Sequence, residues 1–506
     1  MPQKLPRITF GTERPPSMWV DEAIWGHRLY DEQVPWLIFL ELLNVLCSED
    51  RDNKPFIEEN FNTLSYTPRR LLHLRNIVFN NPKLRVIMSE HADDPARWRY
   101  WLKEMETVRG GVDSSFSYLR NKFINFEDFC EIVEMLRTTS IEGASNKQFT
   151  SKFIFPYGPD CLFEDLDARN FTPGRRFFAR TGELAYLMIC RSSHAQEVLG
   201  YLRPIVLDPR SRWNQLVLSL HSREQEDASP HRHTYLPYSY LLDFDLLAKD
   251  WLGLLQRGLP GYDVLPHLVS LLGLHMLLYF LRRAKEHIDG NSDITIVCEI
   301  ISPKKTVVRE LADQSFKYNN YLSREAVISY IDQIKESVDW KRILAHSDRN
   351  ARARDFLKDH FMWEPEMPAE PETLLDMLKD AATQRHAQHG NKIHATWARS
   401  MGLASRRNTR TVRYAPTDSL LKSLVYTVVD GRMELHKFLE ELYRRYGFVI
   451  GYVQADEASI GSDRGDIQAL KENTQRLEMR LVSLGLLKRL SDACAYVQNP
   501  FNRGGG

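Results

Sequence analysis

Three runs, PTDSLLKSLVYTVVDG at 416–431, MELHKFLEELYRRYG at 433–447 and DIQALKENTQRLEMRLVSLGLLKRLSDACAYV at 466–497, decide how the C-terminal end of this chain folds. Thr417 or Asp418 is placed to cap a helix through Leu420, Leu421, Leu424, Val425 and Val428, and Asp430-Gly431 stops it. A second helical period runs through Leu435, Phe438, Leu439 and Leu442 and closes at Tyr446-Gly447. The third starts at Asp466, sets Leu470, Leu477, Leu481 and Leu484 on one face, and stops at Gly485. There the period changes to 2. Leu486–Leu490 and Ala493–Val497 read as two strands around the polar turn Ser491-Asp492. Three helices closed by a hairpin predict a winged helix over 416–501.

Working outward, the next segment is basic. No acid lies between Asp380 and Asp418, while Arg385, Lys392, Arg399, Arg406, Arg407, Arg410 and Arg413 do. Before it, Pro365, Pro368 and Pro371 punctuate a Pro/Glu-rich run, so 363–415 reads as a linker and basic connector. Such a run can track phosphates without touching bases, or it can dock on an acidic neighbour. Both remain open, because the whole chain is neutral and its basic excess is C-terminal: residues 381–503 hold nineteen Lys/Arg against twelve Asp/Glu.

The third helix would be the reading helix. Lys471, Gln475, Arg476 and Arg480 on it, Lys488 and Arg489 on the first strand, and Arg406, Arg407 and Arg410 before it form the expected DNA-binding set. The module 416–501 nevertheless counts eleven basic residues against twelve acidic ones, so docking on a partner protein is the competing use.

The remainder reads as mainly α with minor β: an N-terminal arm at 1–16, a helical domain at 17–145 rich in tryptophan, and a mixed α/β central domain at 146–362. Val264–Leu281 carries no charged residue and reaches the length of a membrane span, but Pro266, His267, Gly273 and His275 dilute it; a buried core helix is expected and no membrane partner. The six cysteines, Cys47, Cys130, Cys161, Cys190, Cys298 and Cys494, show no paired spacing, which points to reduced thiols in a cytoplasmic protein. The N-terminus has no apolar signal core.

Two stretches carry the residue types of chemistry. His221, His231 and His233 flank a polar loop and have the donors a zinc ion takes, but no rigid element fixes them, so neither metal nor cofactor is expected. Asp293, Glu299 and Lys304 lie on or beside an apolar strand, as in restriction-type nucleases where carboxylates hold Mg²⁺ and a lysine orients water. Here Glu and Lys are five residues apart with Pro303 between them, which departs from that pattern.

The block Leu484-Gly485-Leu486-Leu487-Lys488-Arg489-Leu490-Ser491-Asp492-Ala493-Cys494-Ala495-Tyr496-Val497 resembles the C-terminal winged helix of proteins from bacterial anti-phage defence operons of the methylation-associated and phosphorothioation-associated types. Trp25–Tyr30 and Arg175–Glu183 are similar in character. The resemblance implies a non-catalytic accessory subunit that travels with a DNA methyltransferase or a large ATPase, and it transfers no catalytic residue. The leading expectation is therefore a mainly helical, multidomain accessory subunit that contacts DNA or partner proteins through its winged helix. A metal-dependent nuclease centred on 293–304 and a winged-helix transcription regulator are the alternatives.

Overall fold

In the computed structural model the charge-free run at 264–281 lies almost wholly within one helix, Leu265–Asp289, which opens on Pro266 and ends on Gly290 in the left-handed conformation. It is long and apolar enough to cross a membrane, yet 83% of its most apolar window is buried inside the protein. A helix apolar on all sides is stable in water only when neighbours cover all sides. The structure describes residues 5, 19–57, 64–66, 77–78, 83–106, 116–138, 158–162, 179–221, 232–303, 306–361, 363–407, 409–461, 463–491 and 494–501.

Within these the protein is mainly helical with minor sheets. The N-terminal part holds α1 (Val20–Trp25), α2 (Pro35–Arg51), α3 (Leu84–Glu90), α4 (Asp94–Glu106) and α5 (Phe126–Thr138). The middle holds α6 (Thr181–Cys190), α7 (Ala195–Val206), α8 (Arg212–Leu220), α9 (Leu242–Leu255), α10 (Leu265–Asp289), α11 (Val307–Glu336), α12 (Val338–Leu344) and α13 (Arg349–Phe361). The C-terminal part holds α14 (Pro371–Ser400), α15 (Asp418–Val428), α16 (Leu435–Tyr446), α17 (Tyr452–Glu457) and α18 (Arg464–Ser483). Short strands pair far-apart segments: β1 (Leu64–Tyr66) with β2 (Arg232–Thr234), and β3 (Ile296–Val297) in parallel with β7 (Phe448–Val449). A hairpin joins β4 (Ala404–Ser405) to β5 (Arg413–Tyr414), and β6 (Arg432–Glu434), β8 (Leu487–Ser491) and β9 (Cys494–Gln498) form a three-stranded sheet in the order β6-β9-β8.

Among the described residues the main hydrophobic cluster reaches from Trp19 on the N-terminal side to Val497 in β9, with a smaller one around Val297, Val308, Val449 and Leu470. Helices α2 and α6 approach closely because Gly182 has no side chain: a Cβ there would lie 2.6 Å from the Ile38 carbonyl oxygen. The Glu41 carboxylate then receives the backbone N–H groups of Arg180 and Gly182 at 2.8 and 2.7 Å, meeting donors that the start of α6 leaves free.

Residues 371–400, read from the sequence as part of a linker and connector, form a single thirty-residue helix, α14. Its buried positions, Leu374, Leu375, Leu378, Ala382, His386, Gly390, Ile393, His394 and Trp397, recur every three or four residues. The period is hard to see in sequence because His386, Gly390 and His394 occupy places where a leucine signals a core face. His386 finds Asp21 and Ser323 at 3.0 Å each, and His394 finds the Tyr414 hydroxyl at 2.6 Å. Such polar residues are tolerated inside because each is hydrogen-bonded.

Candidate nucleic-acid interface

The C-terminal unit is built as its periodicities dictate. The Thr417 side chain accepts from the Leu420 N–H and caps α15. Gly447 ends α16 at φ +73°, and a Cβ at that position would collide with the Ile294 carbonyl, so only glycine lets β7 leave the helix alongside β3. The expected hairpin forms as β8 and β9, with Leu487 opposite Val497 and Lys488 opposite Tyr496. The sequence reading missed β6, whose three residues Arg432, Met433 and Glu434 pair with Gln498, Val497 and Tyr496. Asn499 secures the end of this sheet by donating to Tyr426 O and Val429 O at 3.0 and 3.1 Å.

The sequence-derived cations fall into two groups. Lys471 and Gln475 on α18 and Lys488 on β8 are exposed, and so are Arg406, Arg407 and Arg410 in the turn between β4 and β5. Among the described residues those three arginines have no acidic partner; the turn is held by backbone bonds, Thr409 N–H to Arg406 O and Arg407 N–H to Ser405 Oγ. The others are engaged. Arg480 reaches Asp418 at 2.5 Å, Arg476 lies 3.8 Å from Glu472, and Arg489 lies 3.5 Å from Glu478. The side chains of Arg476 and Arg480 are only 18% and 19% exposed, because α18 turns their side of the helix partly inward. Beside the exposed cations stand Met479 and Leu490, 64% and 60% exposed, so this surface is part apolar.

The α18 face opposite the exposed one is buried against the body. Asn473, fully buried, donates to Cys298 O and Ile450 O at 2.9 Å and accepts from Ile300 N–H at 2.8 Å. A second tie centres on buried Asp250 of α9, which accepts from Arg445 at 2.9 Å, Tyr446 at 2.6 Å and His275 at 2.8 Å. Burial first, then the Asp250 charge, pushes the Tyr446 hydroxyl well above its ordinary pKa. The sequence held no signal for either tie, since Asn473 lies 175 residues from Cys298 and Asp250 lies 196 residues from Tyr446.

The stretch 293–304 spends its central carboxylate on two arginines. Glu299 is completely buried and its two carboxylate oxygens go to Arg309 Nε, at 3.0 Å, and to Arg413 Nε. Asp293 lies exposed ahead of β3, which spans only two residues, and Lys304 is outside the described residues. The sequence suggested a carboxylate free to bind a cation; the fold supplies two guanidinium groups instead, and this corrects the role of Glu299. Among the described residues no group of three or more His, Cys, Asp and Glu is placed to hold a metal ion. His221 is buried, whereas His231 and the side chain of His233 lie outside the described residues.

With this geometry in place, the comparison with known families is specific in extent. Residues 372–500 match the family model of methylation-associated defense system protein MAD7. The MAD7-like segment begins at the second residue of α14 and ends just past β9, so it takes in α14, the β4–β5 hairpin, α15 to α18 and the three-stranded sheet. It therefore contains every exposed cation described above and supports the resemblance to an accessory subunit of a defence operon. No curated protein and no solved structure matches the chain.

Proposed function

We propose that the chain is a non-catalytic accessory subunit of a methylation-associated anti-phage defence complex, acting in the cytoplasm, and that its MAD7-like segment contacts duplex DNA. In this reading α15, α16 and α18 with the sheet β6-β9-β8 are a winged helix: helix, strand, two helices separated by the short α17, then two strands of which the last lies between the others. The observation that carries the DNA reading is the β4–β5 turn, where Arg406, Arg407 and Arg410 are exposed without an acidic partner among the described residues. Lys471 and Lys488 add to it, and Arg476 and Arg480, held at the edge of α18, do not act as base readers.

The expected interaction is with phosphates, strong at low salt and indifferent to sequence. It is tested by fluorescence anisotropy of a labelled duplex against the full chain over a salt series, beside the triple variant Arg406→Gln/Arg407→Gln/Arg410→Gln. Each phosphate contact contributes about 0.9 to the slope of log affinity against log salt, so the triple variant should lower it by about two to three. An unchanged slope overturns the assignment of the turn. A second reading rests on exposed Met479 and Leu490, which suit a partner subunit better than a phosphate backbone. Methyltransferase or ATPase subunits of the same system are the partners that reading names.

A further inference from the structure

Helix α18 carries an exposed stripe of which the phosphate reading uses only Lys471. Arg464, Gln468, Lys471, Gln475, Met479 and Val482 recur every three or four residues, and all six are exposed. The stripe holds no acid. Glu472 beside it is taken by Gln468 at 3.2 Å and faces Arg476 at 3.8 Å, and Glu478 faces Arg489 at 3.5 Å. The opposite side of the helix is fixed in place, because Leu470, Asn473, Leu477 and Leu481 are completely buried.

The stripe changes character along its length. Its first half carries the cations Arg464 and Lys471; its second half carries one amide and two apolar side chains, with Met479 64% and Val482 49% exposed. Among the described residues the Gln475 side-chain amide meets no hydrogen-bond partner. A thioether and an isopropyl group gain nothing from a phosphate oxygen. Base edges differ. In the major groove, which is wide enough for a helix, adenine offers an N7 acceptor and an N6 donor that one glutamine amide bonds together, and thymine offers a methyl group. The stripe also continues the cationic surface, since Arg480 on the edge of α18 holds Asp418, just past the β4–β5 hairpin.

We infer that α18 reads A·T base pairs in the major groove, with the Gln475 amide on adenine and the Met479 and Val482 side chains on thymine methyl groups. It does so only if the MAD7-like segment contacts duplex DNA, the reading on which this assignment rests. The turn arginines hold phosphates and carry no sequence information, whereas the stripe supplies a preference among duplexes. Gln475 and Met479 are separated by about 6 Å along the helix axis, so they meet different base pairs. Arg464 and Lys471 hold the flanking phosphates.

The test is fluorescence anisotropy of the full chain with two labelled duplexes of equal length, one of A·T and one of G·C pairs, over the same salt series. The wild type should bind the A·T duplex about fivefold or more tightly, since one bidentate amide–base contact discriminates by at least that factor. Gln475→Ala should remove most of that preference and leave the salt slope unchanged. Base analogues in the A·T duplex then assign each contact. Replacing adenine by 7-deazaadenine removes the N7 acceptor and should weaken the wild type but not Gln475→Ala. Replacing thymidine by deoxyuridine removes the methyl and should weaken the wild type about fourfold, but not the Met479→Ala/Val482→Ala variant. The substituted residues are exposed, so these variants should fold like the wild type. The Arg406/Arg407/Arg410 triple variant should keep the A·T preference at a lower salt slope, which separates failure here from failure of the turn assignment. Equal affinity of the wild type for both duplexes, or analogues that weaken wild type and variants alike, overturns the base contacts and gives the stripe to a partner protein, while the phosphate reading stands.

Discussion

The Asn473 side-chain oxygen accepts the Ile300 N–H at 2.8 Å, joining α18 to a segment 173 residues earlier in the chain. The same amide donates to Cys298 and Ile450, so one side chain satisfies three buried backbone groups. Replacing it with alanine strands all three, and unmet buried groups cost about 1–3 kcal/mol each, less whatever water recovers. Asn473→Ala should therefore lower stability by about 3 kcal/mol or more in equilibrium urea unfolding. A loss within about 0.5 kcal/mol, typical of a surface change, would show that the clamp is dispensable.

Asp250 gathers Arg445, Tyr446 and His275 from two other helices. Asp250→Asn removes the charge facing a partly buried Arg445 and should cost about 3 kcal/mol, whereas Tyr446→Phe, which removes one hydrogen bond, should cost about 1 kcal/mol. Chemical denaturation of the two variants in parallel tests the ordering. A larger loss for Tyr446→Phe would place the tie on the tyrosine hydroxyl rather than on the charge of the carboxylate.

Glu299 lies between two arginines, and Arg413 is as fully buried as the carboxylate itself. Glu299→Ala leaves two guanidinium groups without their counter-charge and should destabilise by about 3–5 kcal/mol. Thermal unfolding measures this. Mg²⁺-dependent cleavage of DNA by the wild type that disappears in a stably folded Glu299→Ala protein would restore a nuclease reading.

Burial holds the His394 imidazole far below its ordinary value, down to about 3. The folded state therefore keeps it neutral while the unfolded chain takes up a proton near pH 6.5. Between those values the unfolded state binds more protons, so this contribution to stability is complete above about pH 6.5 and declines as pH falls towards about 3. Thermal midpoints between pH 7.5 and pH 4.5 should fall for the wild type and fall less steeply for His394→Gln. Parallel curves would assign the decline to other groups.

Much of the local structure was legible in the residues. The leucine spacing in 418–428, 435–446 and 464–483 and the alternation in 487–498 predicted elements that the fold contains, and the apolar run at 264–281 predicted a buried helix. The third strand was not legible, because Arg432-Met433-Glu434 has no alternation of its own and becomes a strand only beside β9. Helix α14 was obscured by histidines whose partners, Asp21, Ser323 and Tyr414, lie on other segments. The candidate surface was half legible: spacing placed Lys471 and Gln475 on the outer side of α18, but it could not reveal that Asp418 captures Arg480.

What the amino-acid sequence determined by itself was periodic: which runs coil, which extend, where glycine and proline end them, and where charge accumulates. Those properties follow from contacts between residues three or four apart, or from alternation along a strand. Which charges remain free was decided only by the tertiary structure. A guanidinium is available to an anion or spent on a carboxylate according to what the fold brings within about 4 Å of it, and spacing along a chain carries no record of that distance. Arg406 and Arg480 are the same residue type in neighbouring segments, and folding alone leaves the first open and pairs the second.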